Sequence, residues 1–235
     1  MTSINDMLSH KLYVLGADVV GFGDLTGLPP DVRACLPFGV CVAVKYPKDV
    51  IRGISDLPTR EYFIWYNALN EKLDAIVMRG AEFLRSRGYQ AIAQTRERVG
   101  KGEDIAEDRT ALPHKTVATR AGIGWIGKCA LLVTEEYGSM IRLSSVLTDA
   151  PLDCAEPADV SKCGGCGECA AACPAKAVSG RLWRAGTPRE DFYDAAACRR
   201  TAAERSKAGF GGGATICGKC IEVCPYTRRY LEMED

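Results

Sequence analysis

Residues 163–174 read CGGCGECAAACP, four cysteines in the spacing C-x2-C-x2-C-x3-C with a proline after the last one. In proteins that hold two [4Fe–4S] clusters, the first three thiolates of such a run bind one cluster and the fourth binds the other. The glycines between the first three cysteines leave room for their thiolates to converge on one cube. Zinc sites favour four ligands in C-x2-C pairs, and this run does not have that form. The run therefore predicts iron–sulfur clusters.

A second, incomplete copy of this motif lies near the C-terminus, where residues 217–225 read CGKCIEVCP. A full copy would have a cysteine at position 214, but that residue is Ala214. Because the last cysteine of each run binds the other cluster, the first cluster has four ligands, namely Cys163, Cys166, Cys169 and Cys224. The second cluster has three ligands, namely Cys173, Cys217 and Cys220.

The second cluster thus lacks one ligand, and other cysteines are candidates for that place. Cys198 is the first candidate because it lies between the two motifs. Cys154 is the second candidate, and a three-iron cluster is the alternative that needs neither. Cys35, Cys41 and Cys129 have no metal-binding spacing, and Cys41 lies in an apolar segment typical of a core strand.

Composition limits the classes of protein to which the chain can belong. The 235 residues include 30 basic and 30 acidic side chains, a balance that argues against a dominant nucleic-acid-binding surface. No apolar run approaches the ~20 residues of a membrane span, and residues 1–10 do not have the pattern of a signal peptide. Nine of the twelve cysteines lie beyond residue 153, which indicates metal binding and not a disulfide framework. We therefore expect a cytoplasmic metalloprotein without a membrane partner.

The chain divides by composition into two predicted domains, residues 1–150 and residues 151–235. The first has α and β signals in alternation, with its strongest helical pattern at residues 60–87 and strand-like segments such as residues 38–46. This pattern predicts a mixed α/β fold. The second has few large apolar residues, so bound clusters are expected to hold it together.

Residues 122–127 read GIGWIG and match the dinucleotide-binding pattern G-x-G-x-x-G. That pattern requires a strand before it and a helix after it, whereas here a predicted helix comes first and a predicted strand follows. We therefore reject a dinucleotide site. Two interpretations stay open: close approach of the backbone to a flat ligand, or a tight helix-to-strand turn with Trp125 as a packing anchor.

The stretch at residues 114–151, HKTVATRAGIGWIGKCALLVTEEYGSMIRLSSVLTDAP, together with the eight-cysteine pattern, resembles epoxyqueuosine reductases. It is more distantly similar to corrinoid-dependent reductive dehalogenases. The resemblance implies a nitroreductase-like, cobalamin-binding α/β domain followed by a small ferredoxin-like domain with two [4Fe–4S] clusters. It also implies that the cobalamin is bound base-off and that Cys198 completes the second cluster.

The resemblance also implies which residues contact the corrinoid. The corresponding loop contains Gly122, Gly124, Trp125, Gly127, Lys128 and Cys129. Cys129 stands where the family usually has asparagine, so it is a corrinoid-contacting thiol or a simple substitution. The family's catalytic proton donor aligns with Asp108, although the residues that follow it differ from the family's usual Asp-(Ser/Thr)-Gly-Pro.

Other assignments of the proton donor remain open. Asp108 can instead be a surface carboxylate in a charged loop. His114, which replaces an expected glutamate, and the tyrosines Tyr62 and Tyr66 are rival donors.

Three functions are consistent with these features. The first is a minimal corrinoid-dependent reductase that acts on a small molecule or a modified nucleoside and takes low-potential electrons from a ferredoxin or flavodoxin. The second is an electron-transfer protein that reduces the corrinoid of a partner protein, and the third is a plain two-cluster electron carrier. Epoxyqueuosine reductases continue into a helical tRNA-binding region, whereas this sequence ends at Asp235, so we expect that tRNA is not the substrate.

A basic segment offers a docking surface for an acidic electron donor or is a solvated face. Its charged residues are Arg181, Arg184, Arg189, Arg199, Arg200, Arg205 and Lys207.

Overall fold

The computed structural model describes residues 3–101, 103–104 and 109–233. Its helices are α1 (Ile4–Val14), α2 (Lys48–Arg52), α3 (Arg60–Arg85), α4 (Arg96–Lys101), α5 (His114–Arg120), α6 (Glu168–Ala171), α7 (Ala195–Phe210), α8 (Lys219–Glu222) and α9 (Pro225–Glu232). Its strands are β1 (Val19–Asp24), β2 (Phe38–Lys45), β3 (Ala91–Gln94), β4 (Glu103–Asp104), β5 (Arg109–Thr110), β6 (Trp125–Ile126), β7 (Leu132–Val133) and β8 (Ile141–Thr148). A 3-10 turn at Arg189–Asp191 precedes α7. The predicted mixed α/β fold is confirmed.

The largest sheet has four strands in the order β1-β2-β8-β3. The pair β1–β2 and the pair β3–β8 are antiparallel, with Val20 opposite Val42 and Ile92 opposite Leu147. The six inner residues of β2 are all buried, which explains why its sequence is a continuous apolar run instead of an alternating one.

Local sequence signals account for the ends of several helices. The Ser3 hydroxyl accepts a hydrogen bond from the Asp6 amide at 3.0 Å, and the Ser3 amide donates to the Asp6 carboxylate, which completes a capping box for α1. Gly16, with φ of +94°, follows the end of that helix. Pro113 precedes α5, as its fixed φ favours at a helix start.

Two compact units, interleaved along the chain, make up the molecule. The sheet unit comprises Met1–Val44, Leu69–Ile123 and Arg142–Ala158, and the cluster unit comprises Lys45–Ala68, Gly124–Ile141 and Asp159–Asp235. The predicted domains, residues 1–150 and 151–235, follow the composition along the chain. The two segments that join the cluster unit from the first 150 residues do so through tertiary packing, which no local pattern reveals.

Aromatic pairs illustrate this packing within the cluster unit. Phe63 stacks on Phe210 with ring centroids 4.9 Å apart. Tyr137 packs edge-on against Tyr230 at 5.0 Å. Each pair joins an early segment to a helix of the cysteine-rich segment, so the core of this unit draws on residues far apart in sequence.

No helix in residues 3–101, 103–104 and 109–233 is both long enough and apolar enough to cross a bilayer.

Candidate iron–sulfur site

A cavity of about 400 Å³ in the cluster unit is lined by the cysteines that the sequence assigns to the first cluster. These are Cys163, Cys166, Cys169 and Cys224. Cys220, assigned to the second cluster, also lines this cavity. The fold therefore brings together cysteines that are as much as 61 positions apart in sequence, and it brings a ligand of the other set next to them.

Short turns and helix ends position these cysteines. The Cys166 amide donates to the Cys163 carbonyl at 3.1 Å and closes the first turn. Cys169 lies in α6, and Cys224 is the residue immediately before α9, with Pro225 as the first helical residue. Thr227 and Leu231, which share a face of α9 with Cys224, are buried and anchor the helix. These anchors hold Cys224 at the cavity wall.

Three basic side chains, Lys128, Lys162 and Arg229, also line the cavity. Lys128 is only 7% exposed, and its ammonium donates to the Cys166 carbonyl at 2.7 Å. Lys162 forms an ion pair with Glu135 at 2.5 Å. Thiolate ligands carry negative charge, so nearby cations compensate for it in a partly desolvated site.

The cysteines assigned to the second cluster also have specific hydrogen-bond partners. The Ala177 amide donates to the Cys173 sulfur at 3.3 Å, and the Arg205 guanidinium donates to the Cys217 sulfur at 3.2 Å. Donors aimed at sulfur are typical of iron–sulfur sites, in which they stabilise the thiolates. Arg205 is therefore engaged with a cysteine and does not belong to the solvated basic surface predicted for residues 181–207.

Tyr193 connects the two remaining cysteines of this set. Its hydroxyl is hydrogen-bonded to the Cys198 side chain, and it also lies close enough to Cys220 to interact electrostatically. Burial raises the pKa of Tyr193, and the neighbouring Cys198 adds to the shift, so the phenol stays protonated as a donor. Cys154, the other candidate for the missing ligand, belongs to the sheet unit, where its thiol donates to the Leu152 carbonyl at 3.5 Å.

The spread of the cysteines distinguishes a cluster from a single metal ion. In the described part of the chain, no group of three or more His, Cys, Asp or Glu side chains is arranged to hold one metal ion. A zinc ion would require ligands that all lie about 2.0–2.3 Å from one point. A cubane places each thiolate on a different iron and therefore keeps them apart. The cysteines of the first set instead line one cavity, the arrangement that a shared cluster requires.

The glycines of the loop at residues 122–127 are explained by the packing of the chain itself. A Cβ on Gly122, whose φ is +64°, would lie 2.7 Å from the Glu156 carbonyl oxygen. A Cβ on Gly124 would collide with the Val133 carbonyl oxygen, and one on Gly127 would lie 2.8 Å from the Val133 side chain. Protein atoms therefore occupy the position that a Cβ would take at each of these glycines.

Trp125 is buried as the packing anchor of this turn. It is 1% exposed, and its ring packs edge-on against Tyr226 at 5.0 Å. The order of elements, α5 then the turn then β6, is the helix-to-strand order that the sequence indicated. These observations favour the second of the two interpretations of the glycine motif, the tight turn.

Lys128 and Cys129 lie beside cluster cysteines, and not in a separate pocket. Lys128 contacts the Cys166 carbonyl, as described above, and Cys129, which is 5% exposed, lines the same cavity as Cys169 and Cys220. The family resemblance predicts that both residues contact a corrinoid. Nothing in their spacing indicated that they face cysteines tens of residues away.

The proposed proton donors have different environments. Asp108 lies outside the described residues. His114, in the sheet unit, places Nδ1 2.9 Å from the Ser145 hydroxyl, and burial together with the nearby Arg142 lowers the pKa of His114 to about 4. The imidazole is therefore neutral at pH 7. Tyr62 is 4% exposed, with its ring 5.3 Å from that of Tyr46.

Comparison with known families defines the class of this site. Residues 162–227 match the family described as "4Fe-4S double cluster binding domain". The chain therefore carries a C-terminal domain that binds two [4Fe–4S] clusters.

Similarity to curated proteins extends beyond that domain. An epoxyqueuosine reductase of Listeria monocytogenes is 34% identical over 128 residues, which cover 52% of this chain and 31% of that protein. An epoxyqueuosine reductase of a Synechococcus strain is 35% identical over 134 residues, which cover 53% of this chain and 38% of the relative. The match thus spans about a third of the length of these relatives.

Solved structures show the same fold over nearly the whole chain. An epoxyqueuosine reductase crystallised with a modified tRNA stem loop aligns with 96% of this chain and 65% of its own, with a TM-score of 0.62 and 20% identity. A catabolic reductive dehalogenase aligns with 94% of this chain and 31% of its own, with a TM-score of 0.67 and 18% identity. The protein is epoxyqueuosine reductase-like, with a mixed α/β fold that these two groups share.

Proposed function

We propose that this protein is an iron–sulfur reductase in which two [4Fe–4S] clusters carry low-potential electrons to a corrinoid. The proposed ligands of the first cluster are Cys163, Cys166, Cys169 and Cys224. Those of the second are Cys173, Cys198, Cys217 and Cys220. The supporting observation is the cavity in the cluster unit, whose wall includes all four members of the first set and Cys220 of the second. Two clusters that share a wall provide a short route for electrons.

The environment of the clusters supports low-potential electron transfer. Cysteine-ligated [4Fe–4S] clusters reach reduction potentials as low as about −700 mV, and hydrogen bonds to sulfur and solvent exposure set the value. All eight proposed ligands are partly exposed, so electrons from an external donor can reach either cluster. A ferredoxin or flavodoxin is the proposed donor. The exposed Arg199 and Arg200 on α7 are proposed to steer its acidic surface.

Cobalamin enters this proposal through the similarity to epoxyqueuosine reductases and reductive dehalogenases. A bound corrinoid supplies a strongly reducing cobalt centre, and the protein supplies position and a proton, for which Asp108 is the proposed donor. Of the six loop residues singled out from the sequence, Gly122, Gly124 and Gly127 are packed against protein atoms on the side where a Cβ would lie, whereas Lys128 and Cys129 line the cavity of the cluster unit. No step through cobalt is derived from them.

That same observation favours a second candidate function. If this chain holds no corrinoid, the two clusters can reduce the corrinoid of a partner protein or serve as a plain electron carrier. The substrate in the first case is proposed to be a small molecule. The two candidates differ in where cobalt is found during reduction.

Anaerobic reduction with cobalamin present tests the proposal. The protein is mixed with one equivalent of cobalamin, passed through a desalting column, and reduced with a flavodoxin while its visible spectrum is followed. Co-elution of cobalamin and its reduction to the Co(I) state would support a corrinoid held by this chain. Cobalamin lost on the column, with reduction only after a corrinoid protein is added, would favour the second candidate. If the clusters reduce neither the added cobalamin nor the corrinoid of the added protein, both corrinoid functions are contradicted.

A further inference from the structure

Arg205 links a proposed ligand of the second cluster to a loop of the same unit. Its Nε–H donates to the Cys217 sulfur at 3.2 Å, and its Nη2 donates to the Asp56 carbonyl. All of these residues belong to the cluster unit. The N–H groups of a guanidinium lie in one plane as a rigid fork, so the bond to Asp56 fixes the direction of Nε–H. Arg205 is therefore aimed at a single cysteine.

Helix α7 holds Arg205 against the segment that carries Cys217. Ser206, the next residue of the helix, is completely buried. Its hydroxyl donates to the Ile216 carbonyl at 2.8 Å and accepts from the Ile216 amide at 3.2 Å. These two bonds attach the residue before Cys217 to the helix, so the distance between Arg205 and the cysteine is set by the backbone on both sides.

The loop at residues 55–58, which supplies the second acceptor of the guanidinium, is also held in place. A Cβ on Gly209 of α7 would collide with the Pro58 carbonyl oxygen, so the helix backbone lies directly against this loop. The Lys219 ammonium donates to the Ser55 carbonyl at 2.8 Å. The Asp56 carbonyl lies between these two contacts in sequence and is therefore a fixed acceptor.

The chemistry of the loaded protein determines what the contact with Cys217 does. A cysteine bound to iron is a thiolate, which accepts hydrogen bonds. An arginine side chain is always protonated in proteins, so the donation from Arg205 does not change with pH. Hydrogen bonds between a charged donor and a charged acceptor are about twice as strong as neutral ones. Such bonds to sulfur are among the factors that set the potential of a cluster.

We infer that Arg205 is a positioning residue that acts through Cys217 and raises the reduction potential of the second cluster. The inference rests on the ligand assignment proposed above. An added electron increases the negative charge of the cluster, so the guanidinium stabilises the reduced state more than the oxidised state. Removal of Arg205 makes the second cluster harder to reduce. The effect is local, so the potential of the first cluster stays near its wild-type value.

Anaerobic redox titration of variants tests this inference, with electron paramagnetic resonance to follow each reduced cluster. Arg205→Met removes the charge and the Nε–H, whereas Arg205→Lys keeps the charge and loses the fork. Arg60→Gln is the matched control, because Arg60 is an exposed arginine of the same unit. The signal of the second cluster is assigned from Cys198→Ser, which lacks a proposed ligand of that cluster.

The inference predicts that both Arg205 variants and the control keep about eight iron atoms per chain, the content of two cubes. In Arg205→Met, the ratio of oxidised to reduced second cluster at a fixed potential rises about tenfold, which is about 59 mV more negative for one electron. Arg205→Lys shifts in the same direction by less, because the ammonium keeps the charge without the fixed direction of Nε–H. The control leaves both potentials unchanged.

A measurement on the wild-type protein decides the matter if Arg205→Met does not assemble the second cluster. Protein that contains arginine labelled with a heavy nitrogen isotope is reduced, and pulsed electron paramagnetic resonance records couplings between the label and each cluster. The bond from Nε–H to Cys217 predicts a weak coupling of a labelled nitrogen to the second cluster. This coupling should disappear in Arg205→Lys and persist in Arg60→Gln.

Three results would overturn the inference. An unchanged potential of the second cluster in Arg205→Met means that the contact does not affect reduction. An equal shift of both clusters in that variant means that only the overall charge has changed. Absence of the nitrogen coupling in wild type means that Arg205 does not donate to the bound cluster. Fewer than about eight irons in the wild-type protein would instead contradict the ligand assignment and with it the proposed function.

Discussion

The sheet unit and the cysteine-rich segment of the cluster unit reach a stable fold by different means. In the sheet unit, five consecutive residues of β2, Val40–Val44, are completely buried, and helix α3 covers apolar surface with residues such as Leu73 and Leu84. In the cysteine-rich segment at residues 159–235, the buried apolar residues are few and mostly small or medium in size. Burial of apolar surface suffices to stabilise the sheet unit, whereas the cysteine-rich segment also needs the bonds between iron and thiolate.

Removal of the clusters is expected to have the largest effect and to affect the two units unequally. Chelation of iron under oxidising conditions should unfold residues 163–227, because metal-binding free energy is folding free energy in such domains. The amides of β2 and β8 should stay protected from hydrogen exchange. Equal loss of protection in both units would mean that the sheet unit also depends on the clusters. Amide hydrogen exchange monitored by mass spectrometry measures this difference.

Substitution of one proposed ligand is expected to remove one cluster. Cys198→Ser should lower the iron content from about eight to about four atoms per chain, since the second cube loses a ligand. The matched variant Cys154→Ser should keep about eight, because Cys154 belongs to the sheet unit. Iron and sulfide analysis of both proteins checks this. The reverse pattern would assign the eighth ligand to Cys154.

A methyl group at Gly124 is expected to destabilise the cluster unit. The added Cβ in Gly124→Ala would collide with the Val133 carbonyl, and relief of that clash should cost on the order of 3 kcal/mol. Gly27→Ala is the control, because a Cβ there has no neighbour within 4 Å and the residue lies outside the cysteine motifs. Denaturant unfolding followed by cluster absorbance measures both. If Gly124 instead borders a corrinoid, the variant would keep its stability and lose cobalamin affinity.

A smaller effect is expected from His114 in the sheet unit, and it depends on pH. The His114 pKa is about 4 in the folded protein and about 6.5 when unfolded, so the unfolded chain binds more protons between these values. His114 therefore lowers stability as pH falls through this window, by about 2 kcal/mol between pH 7.5 and pH 5.

His114→Gln removes this titration and should flatten the decline. The chain has one other histidine, the exposed His10, and His10→Gln should leave the decline unchanged. Urea unfolding at the two pH values measures the difference between the variants. A decline of the same size in His114→Gln and wild type would contradict the assignment.

Signals that act over a few residues predicted parts of this molecule well. The capping residue Ser3, the helix start at Pro113 and the long helix from residue 60 all depend on local backbone chemistry, and the structure has them. The mixed α/β fold follows from the same kind of pattern. The double-cluster domain was predictable because its cysteine spacing is set by the geometry of one cube.

Contacts between distant segments were not predictable in the same way. The loop after Gly127 is predicted to contact a corrinoid, and the structure adds that Lys128 donates to the Cys166 carbonyl and that Cys129 lines the same cavity as Cys166. The glycines of this loop match a ligand-binding pattern, yet backbone packing against residues such as Val133 explains them. The same pattern of glycines is compatible with ligand binding and with close backbone packing. Only the tertiary structure distinguishes these two roles.

The central claim, two [4Fe–4S] clusters on eight cysteines, is tested most directly by metal analysis. Protein purified without oxygen is incubated with cobalamin, desalted, and analysed for iron, acid-labile sulfide, zinc and cobalt. The account predicts about eight irons and about eight sulfides per chain, with one cobalt if the chain itself holds the corrinoid. Zinc in place of iron, or about four irons in the wild-type protein, would contradict it.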